Sequence, residues 1–316
     1  MMRWRWFTPA DSAPWDAFCA ASYGATFLHT RRFLSYHGSR FDDCSLIAEC
    51  DGQWLGVLPA AIDPSDGDRA VSHPGISYGG FVHHGRLRGE AMVQALQAAC
   101  EALQQRGCRT LVYKPVPTMY QRSPAQDDLY ALFRLGGLRV RSDLSSCIAL
   151  DHALPRSERR ERGLKKARRS GLALEGGPQH LTDLWPVVTD NLQRAHGVTP
   201  VHTVEEITLL AERFPRQIEC RVARAEKRVV AGLVLFMTPR CVHAQYIASN
   251  AEGQSMGALD LLFDSAIQEA RASGASFFDF GHSNEQRGRV LNEGLHRFKS
   301  EFGAGGVVLE HYEIAL

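Results

Sequence analysis

The chain has almost no net charge, no Cys-x-x-Cys pair and no apolar run long enough to cross a bilayer. Each absence removes a class of function. A net charge of +1 over 316 residues rules out polyanion binding by the whole surface, so any such contact needs a local patch. Eight cysteines (Cys19, Cys44, Cys50, Cys100, Cys108, Cys147, Cys220 and Cys241) lack the spacing of a zinc site or disulfide framework. Several lie inside apolar runs, as reduced core residues of a cytosolic protein do. No Gly-x-Ser-x-Gly elbow is present and no cysteine has an activating neighbour in sequence, so a covalent enzyme intermediate is not expected. The opening residues, Met1 to Phe7, lack the apolar core of a signal peptide, so a soluble, cytoplasmic protein is expected.

What is present reads as globular. Hydrophobic residues make up 44% and charged residues 22%, and the length suits two cores. Ser45–Cys50 and Trp54–Ala61 flank Asp51-Gly52, a hairpin signal. Glu90–Gln105 repeats apolar residues at helical spacing (Met92, Ala95, Leu96, Ala99, Leu103), and Arg109–Lys114 reads as a strand ended by prolines. A short helix near Asp127–Leu135 and a strand near Leu138–Leu150 follow. The second half repeats the order: strands at Glu219–Ala225, Val229–Met237 and Cys241–Ser249, then a helix over Ala258–Ala272. A strand at Ser276–His282, a helix at about Val290–Phe302 and a last strand at Val307–Ile314 close the chain. The halves share element order but no residue-level repeat. The expected fold is α/β (α+β): one domain over 1–154, a basic linker helix over 155–172 and a second domain over 173–316.

Two segments invite anions. Arg156 to Gly171 holds eight Arg or Lys residues against two Glu. It reads either as a solvated helix or as a phosphate clamp in which Lys165 and Arg168 contact substrate. After the Cys241–Ser249 strand, Gly253, Gln254, Met256, Gly257 and Ala258 form a glycine turn before a helix. Free N–H groups there would meet a donor pyrophosphate.

These segments, taken in order, resemble a known family. Thr26-Phe-Leu-His-Thr30, Ser77-Tyr-Gly-Gly-Phe81, Lys165-Lys-Ala-Arg-Arg-Ser-Gly-Leu172, Gln245-Tyr-Ile-Ala-Ser249, Phe278-Asp-Phe-Gly-His-Ser283 and Gly294-Leu-His-Arg-Phe-Lys299 resemble the Fem-type branch of the GNAT acyltransferase superfamily. The resemblance implies two tandem GNAT-like domains, each a mixed twisted sheet flanked by helices. It also implies transfer of an acyl or aminoacyl group to an amine on a cell-envelope precursor, with no metal. The first domain would serve the acceptor and the second the donor. The chain has no long helical arm between Val201 and Glu219, which sets acyl-CoA ahead of aminoacyl-tRNA as donor. The acceptor is then an amine-bearing glycan or nucleotide sugar. A non-catalytic protein docking through its basic segment is the alternative from another class, and peripheral membrane contact stays compatible with the sequence.

The resemblance puts Phe298 and Lys299 beside the reacting carbonyl. Lys299 would hold the oxyanion and Phe298 would line the tunnel. His282, at a strand exit with Asp279 three residues before it, is the candidate base. Asp279 alternates with Phe278 and Phe280 and so faces away from them. Tyr246 would donate to a leaving thiolate or line the cleft, and Glu293 with His296 forms a second acid/base pair on one helix face. In the first domain Tyr78, Lys114, Tyr120 and Arg122 are expected to line loops around the acceptor.

Overall fold

Strands and helices alternate from Arg3 onward in the computed structural model, which describes residues 2–316. After β1 (Arg3–Trp6), α1 (Ser12–Ala21) and α2 (Arg31–Leu34) comes the hairpin of β2 (Leu46–Cys50) and β3 (Gln53–Leu58). Asp51 and Gly52 at its tip both hold positive φ, 50° and 74°, as a two-residue hairpin loop demands. β4 (Ala61–Asp63), β5 (Asp66–Val71) and β6 (Val82–His83) precede α3 (Glu90–Gln105), which buries the predicted face of Met92, Ala95, Leu96, Ala99 and Leu103. β7 (Thr110–Tyr113), α4 (Asp127–Arg134) and β8 (Leu138–Ala149) follow.

The basic run forms α5 (Glu158–Ala167), started by the Ser157 hydroxyl accepting the Arg160 N–H. Next come β9 (Ala173–Gly176), α6 (Leu181–His196), α7 (Val204–Arg213), β10 (Ile218–Ala225), β11 (Arg228–Met237) and β12 (Cys241–Ser249). The segment read as a glycine turn is in fact helical: α8 (Ala251–Met256) leads into α9 (Ala258–Ala272) through Gly257, which is left-handed at φ 73°. β13 (Phe277–His282) is followed by a small hairpin of β14 (Asn284–Glu285) and β15 (Val290–Leu291). The last helix, α10 (Glu293–Ser300), starts later than its periodicity suggests because Asn292 caps it, its side chain accepting from Leu295. β16 (Gly305–Ala315) ends the chain.

Contacts divide the chain into two compact units. The first takes the chain up to Leu144 together with 284–291 and 308–316, and the second takes 145–283 and 292–307. The division falls after Leu144 and not after residue 154, and α5 belongs to the second unit, not to a separate linker. Within the first unit, one sheet has the order β1-β2-β3-β6 and a second series runs β4-β5-β7-β16. Within the second, the order is β8-β13-β12-β11-β10-β9. Its core stacks Leu262, Phe263, Ala266 and Ile267 of α9 on Val242, Ala244, Phe278 and Phe280. No helix among the described residues is long and apolar enough to cross a membrane.

Candidate active site

The second sheet opens at one place. β12 pairs antiparallel with β11 from Met237↔Val242 to Ala231↔Ser249, yet it meets β13, in parallel, only at Cys241↔Phe277, Val242↔Phe278 and His243↔Asp279. Beyond that point β13 keeps β8 as its neighbour, out to His282↔Ser145, while residues 244–249 have β11 alone. Both strands are irregular where they part. Ala244 and Tyr246 are successive partners on β11, so Gln245 bulges, and β13 shifts register between Asp279 and His282, where Gly281 takes φ 77°. Bulges of this kind sharpen twist and end pairing, which leaves ladder positions of β12 without a strand partner on that side.

His243 and Asp279 close the apex. As partners in a parallel pair they share a face, opposite the one that sends Val242, Phe278 and Phe280 into the core. Asp279 is 1% exposed; its Oδ2 lies 2.7 Å from His243 Nδ1. Its Oδ1 accepts the Ser145 hydroxyl at 2.5 Å and the Gly281 N–H at 3.0 Å. Lys299 reaches the same place from α10. Its buried amine donates to the carbonyls of Gly281 (3.0 Å) and His282 (2.7 Å). Burial lowers its pKa to about 8, with the negative charge of Asp279 opposing the fall.

The site therefore gathers Lys299 and Asp279 from the expected set, together with His243 and Ser145, which sequence reasoning missed. His282 contributes its backbone carbonyl to Lys299, while its side chain is exposed. Tyr246 is not an open donor: its hydroxyl lies 2.7 Å from His202 Nδ1 and accepts the His202 N–H, its ring meets Trp185 edge-on, and burial pushes its pKa up to about 12. Phe298 is half-buried and packs on Phe263 and Phe302 beneath the Arg160 guanidinium. His296 lies 3.4 Å from the Ser146 hydroxyl, while Glu293 is exposed.

The segment expected as a pyrophosphate turn is helical. The Gly253 N–H is bound by the Asn250 side chain, and the Gln254 and Gly257 N–H groups by the carbonyls of Asn250 and Gln254. Met256 and Ala258 pack on the core. A Cβ on Gly253 would lie 2.4 Å from the Val230 carbonyl oxygen, so this glycine lets a helix pass close to β11 and does not mark a turn. Of the α5 cations, Lys165 is exposed, Arg168 pairs with Asp264 at 3.0 Å, and buried Arg160 bridges Asp260 (2.9 Å) and Glu301 (3.2 Å). Part of the basic run is thus an anchor.

In the first unit, three of the expected acceptor residues are core. Tyr78 and Tyr120 stack on each other at 4.6 Å, both buried. The Lys114 amine is buried and donates to the carbonyls of His73 and Ile76, and burial lowers its pKa to about 7. Arg122 is exposed and donates to the Ala20 carbonyl at 3.0 Å. No disulfide joins cysteines among the described residues, and burial raises the thiol pKa of Cys19, Cys44, Cys100 and Cys220, which keeps those four poor nucleophiles.

Residues 156–299 match the family described as "Acetyltransferase (GNAT) domain". No curated protein matches the sequence. Among solved structures the fold is similar to FemX (TM-score 0.71, 12% identity, 99% of this chain and 97% of that one). It is also similar to L-PGS from Bacillus licheniformis (TM-score 0.65, 14% identity, 98% and 93%). A tandem GNAT protein from the clavulanic acid biosynthesis pathway aligns over 100% of this chain and 98% of its own, with a TM-score of 0.55 and 12% identity. At these identities the likenesses speak to fold, and they run over whole chains. The chain thus carries, over residues 156–299 and the parted strands, a match to an acetyltransferase (GNAT) domain, on a fold similar to those of FemX and a tandem GNAT protein.

Proposed function

We propose that the protein transfers an acyl group from acyl-CoA to an amino group of a cell-envelope glycan or nucleotide-sugar precursor. The observation that carries this reading is the parting of β12 and β13 beyond His243 and Asp279, with the Lys299 amine fixed on the far part of β13. An extended, amide-bearing acyl arm laid along 244–249 would meet the ladder positions that lack a strand partner, so that part of the donor fits. The N–H groups of Gly253, Gln254 and Gly257 are already bonded, and no phosphate seat is assigned to them. The acceptor class rests on the resemblance to Fem-type enzymes.

Aminolysis of a thioester needs a neutral amine, a stabilised oxyanion and a route for one proton. When bound, the donor supplies the activated carbonyl. Lys299 has three N–H donors, and two are held by the Gly281 and His282 carbonyls. The third is assigned to the developing oxyanion. An ammonium fixed before the reaction needs no reorganisation during it, and such donors are worth roughly 10²–10³ in turnover. The Ser145 hydroxyl donates to Asp279, and a carboxylate is too weak a base to ionise an alcohol, so attack is direct.

Thiol release from acetyl-CoA and longer acyl-CoAs, with amino sugars and nucleotide-linked amino sugars as acceptors, tests the proposal. Release that depends on the amine is expected. A protein that neither binds nor consumes acyl-CoA would overturn it, and turnover with charged tRNA alone would move the donor to aminoacyl-tRNA.

A further inference from the structure

We infer that His243 is the base of the transfer, held for that task by Asp279. The inference rests on the acyl-transfer reading above and adds to it the residue that takes the proton. His282, the expected base, has an exposed ring, whereas His243 sits at the point where the strands part.

The geometry fixes the tautomer. Three donors converge on the buried Asp279 carboxylate: the Ser145 hydroxyl and the Gly281 N–H on one oxygen, His243 Nδ1 on the other. A carboxylate only accepts, so Nδ1 of a neutral His243 must carry the ring proton, which leaves a lone pair on Nε2. The ring's position is set as well. It lies against Gly281, where a Cβ would come within 3.4 Å of His243 Cε1, and its side chain is 19% exposed against 1% for Asp279. The imidazole is thus gripped on one edge and partly exposed to solvent. Ser145 and Asp279 act through it: they position, and His243 reacts.

The step balances. The amine nitrogen bonds to the thioester carbon, the C–S bond breaks, and the thiolate leaves with the electron pair. The proton shed by nitrogen passes to His243 Nε2 and from there to the thiolate, which restores the neutral ring. No oxidant or metal enters.

The test uses the full chain with acetyl-CoA and a panel of amino sugars, read by thiol release, together with ¹⁵N NMR of the histidine ring nitrogens. His243→Gln should lower kcat by roughly 10²–10⁴ with the KM for acetyl-CoA within a few-fold. His243→Ala should regain turnover when imidazole is added. Asp279→Asn should lower kcat less, and its spectrum should show His243 losing its single Nδ1–H form. Circular dichroism reports folding, and His243→Gln stands in should Asp279→Asn fail to fold. Wild-type kcat retained in His243→Gln, or a ring proton on Nε2 in the native protein, overturns the inference. If the native protein releases no thiol with any amine, the transfer reading fails. The pair is then upheld by an Nδ1–H ring and overturned by any other form.

Discussion

Each unit buries one lysine whose amine donates to two backbone carbonyls: Lys114 to His73 and Ile76, Lys299 to Gly281 and His282. Their surroundings differ. In the first unit the chain from Ser72 to Phe81 is buried apart from Pro74, Gly75 and Ser77, and it is tied down at both ends: Ser72 N–H to the Val112 carbonyl, Gly79 N–H to the Lys114 carbonyl and Phe81 N–H to the Tyr113 hydroxyl. It is packed so closely that a Cβ on Gly79 would fall 1.9 Å from the Ser72 carbonyl oxygen. Burial lowers the Lys114 amine to about 7, with the like charge of Arg141 acting in the same direction. In the second unit the strands part, and the negative charge of Asp279 opposes the fall that burial causes at Lys299, which stops at about 8. One arrangement stitches a filled region; the other fixes a charge beside an open one.

The sharpest way to break this comparison is to replace each amine in turn. Lys299→Met should lower kcat by roughly 10²–10³, measured by thiol release, with a smaller change in acetyl-CoA KM. Lys114→Met should leave kcat per folded molecule unchanged while unfolding free energy drops by about 1–3 kcal/mol, because two buried carbonyls lose their donor. Similar losses of turnover in both variants would erase the distinction. A smaller effect, about tenfold in kcat, is expected for Gly281→Ala: its backbone at φ 77° disfavours a side chain, and relief of that strain would shift the bulge on which the His243 ring lies. Unchanged kinetics there would detach the bulge from the chemistry.

The mildest effects are pH-dependent. The folded pKa of Lys114, about 7, lies below its unfolded value, so between the two the unfolded chain binds more protons. Stability should therefore climb as pH rises from about 7 toward about 10, and urea melts at pH 7 and 9 should show a smaller climb in Lys114→Met. Equal slopes would mean Lys114 is not the source. For Lys299 the same downward shift predicts that turnover falls as pH passes about 8 and the ammonium is lost. A rate that keeps rising well above that pH would remove the charge-holding role.

Most elements were legible because their signals are local. The α3 and α9 faces follow helical spacing, and Asp51-Gly52 reports its own turn. Gly253 and Gly257 misled, since glycine marks close approach as well as turning, and the Asn250 cap that starts α8 outweighed it. His243 was hidden for a different reason. It sits singly between Val242 and Ala244, and its partner lies 36 residues away, joined only when β12 and β13 pair in parallel. The available signal was alternation: His243 and Asp279 occupy matching outward positions on strands whose inward positions are apolar. Ser145, 134 residues from Asp279, gave no signal of its own. Tyr78, Lys114 and Tyr120 looked like loop polar groups because nothing local announces that a lysine and two tyrosines will be enclosed.

The route of the chain has a consequence for biosynthesis. The first unit includes 308–316, and within it Tyr312, Glu313 and Ile314 pair with Tyr113, Val112 and Leu111. A nascent chain therefore cannot finish its N-terminal half as it emerges, in the usual domain-by-domain order, but must keep that edge of β7 unpaired until Tyr312–Ala315 have left the ribosome. Deleting Tyr312–Ala315 should accordingly damage the half of the protein that was made first.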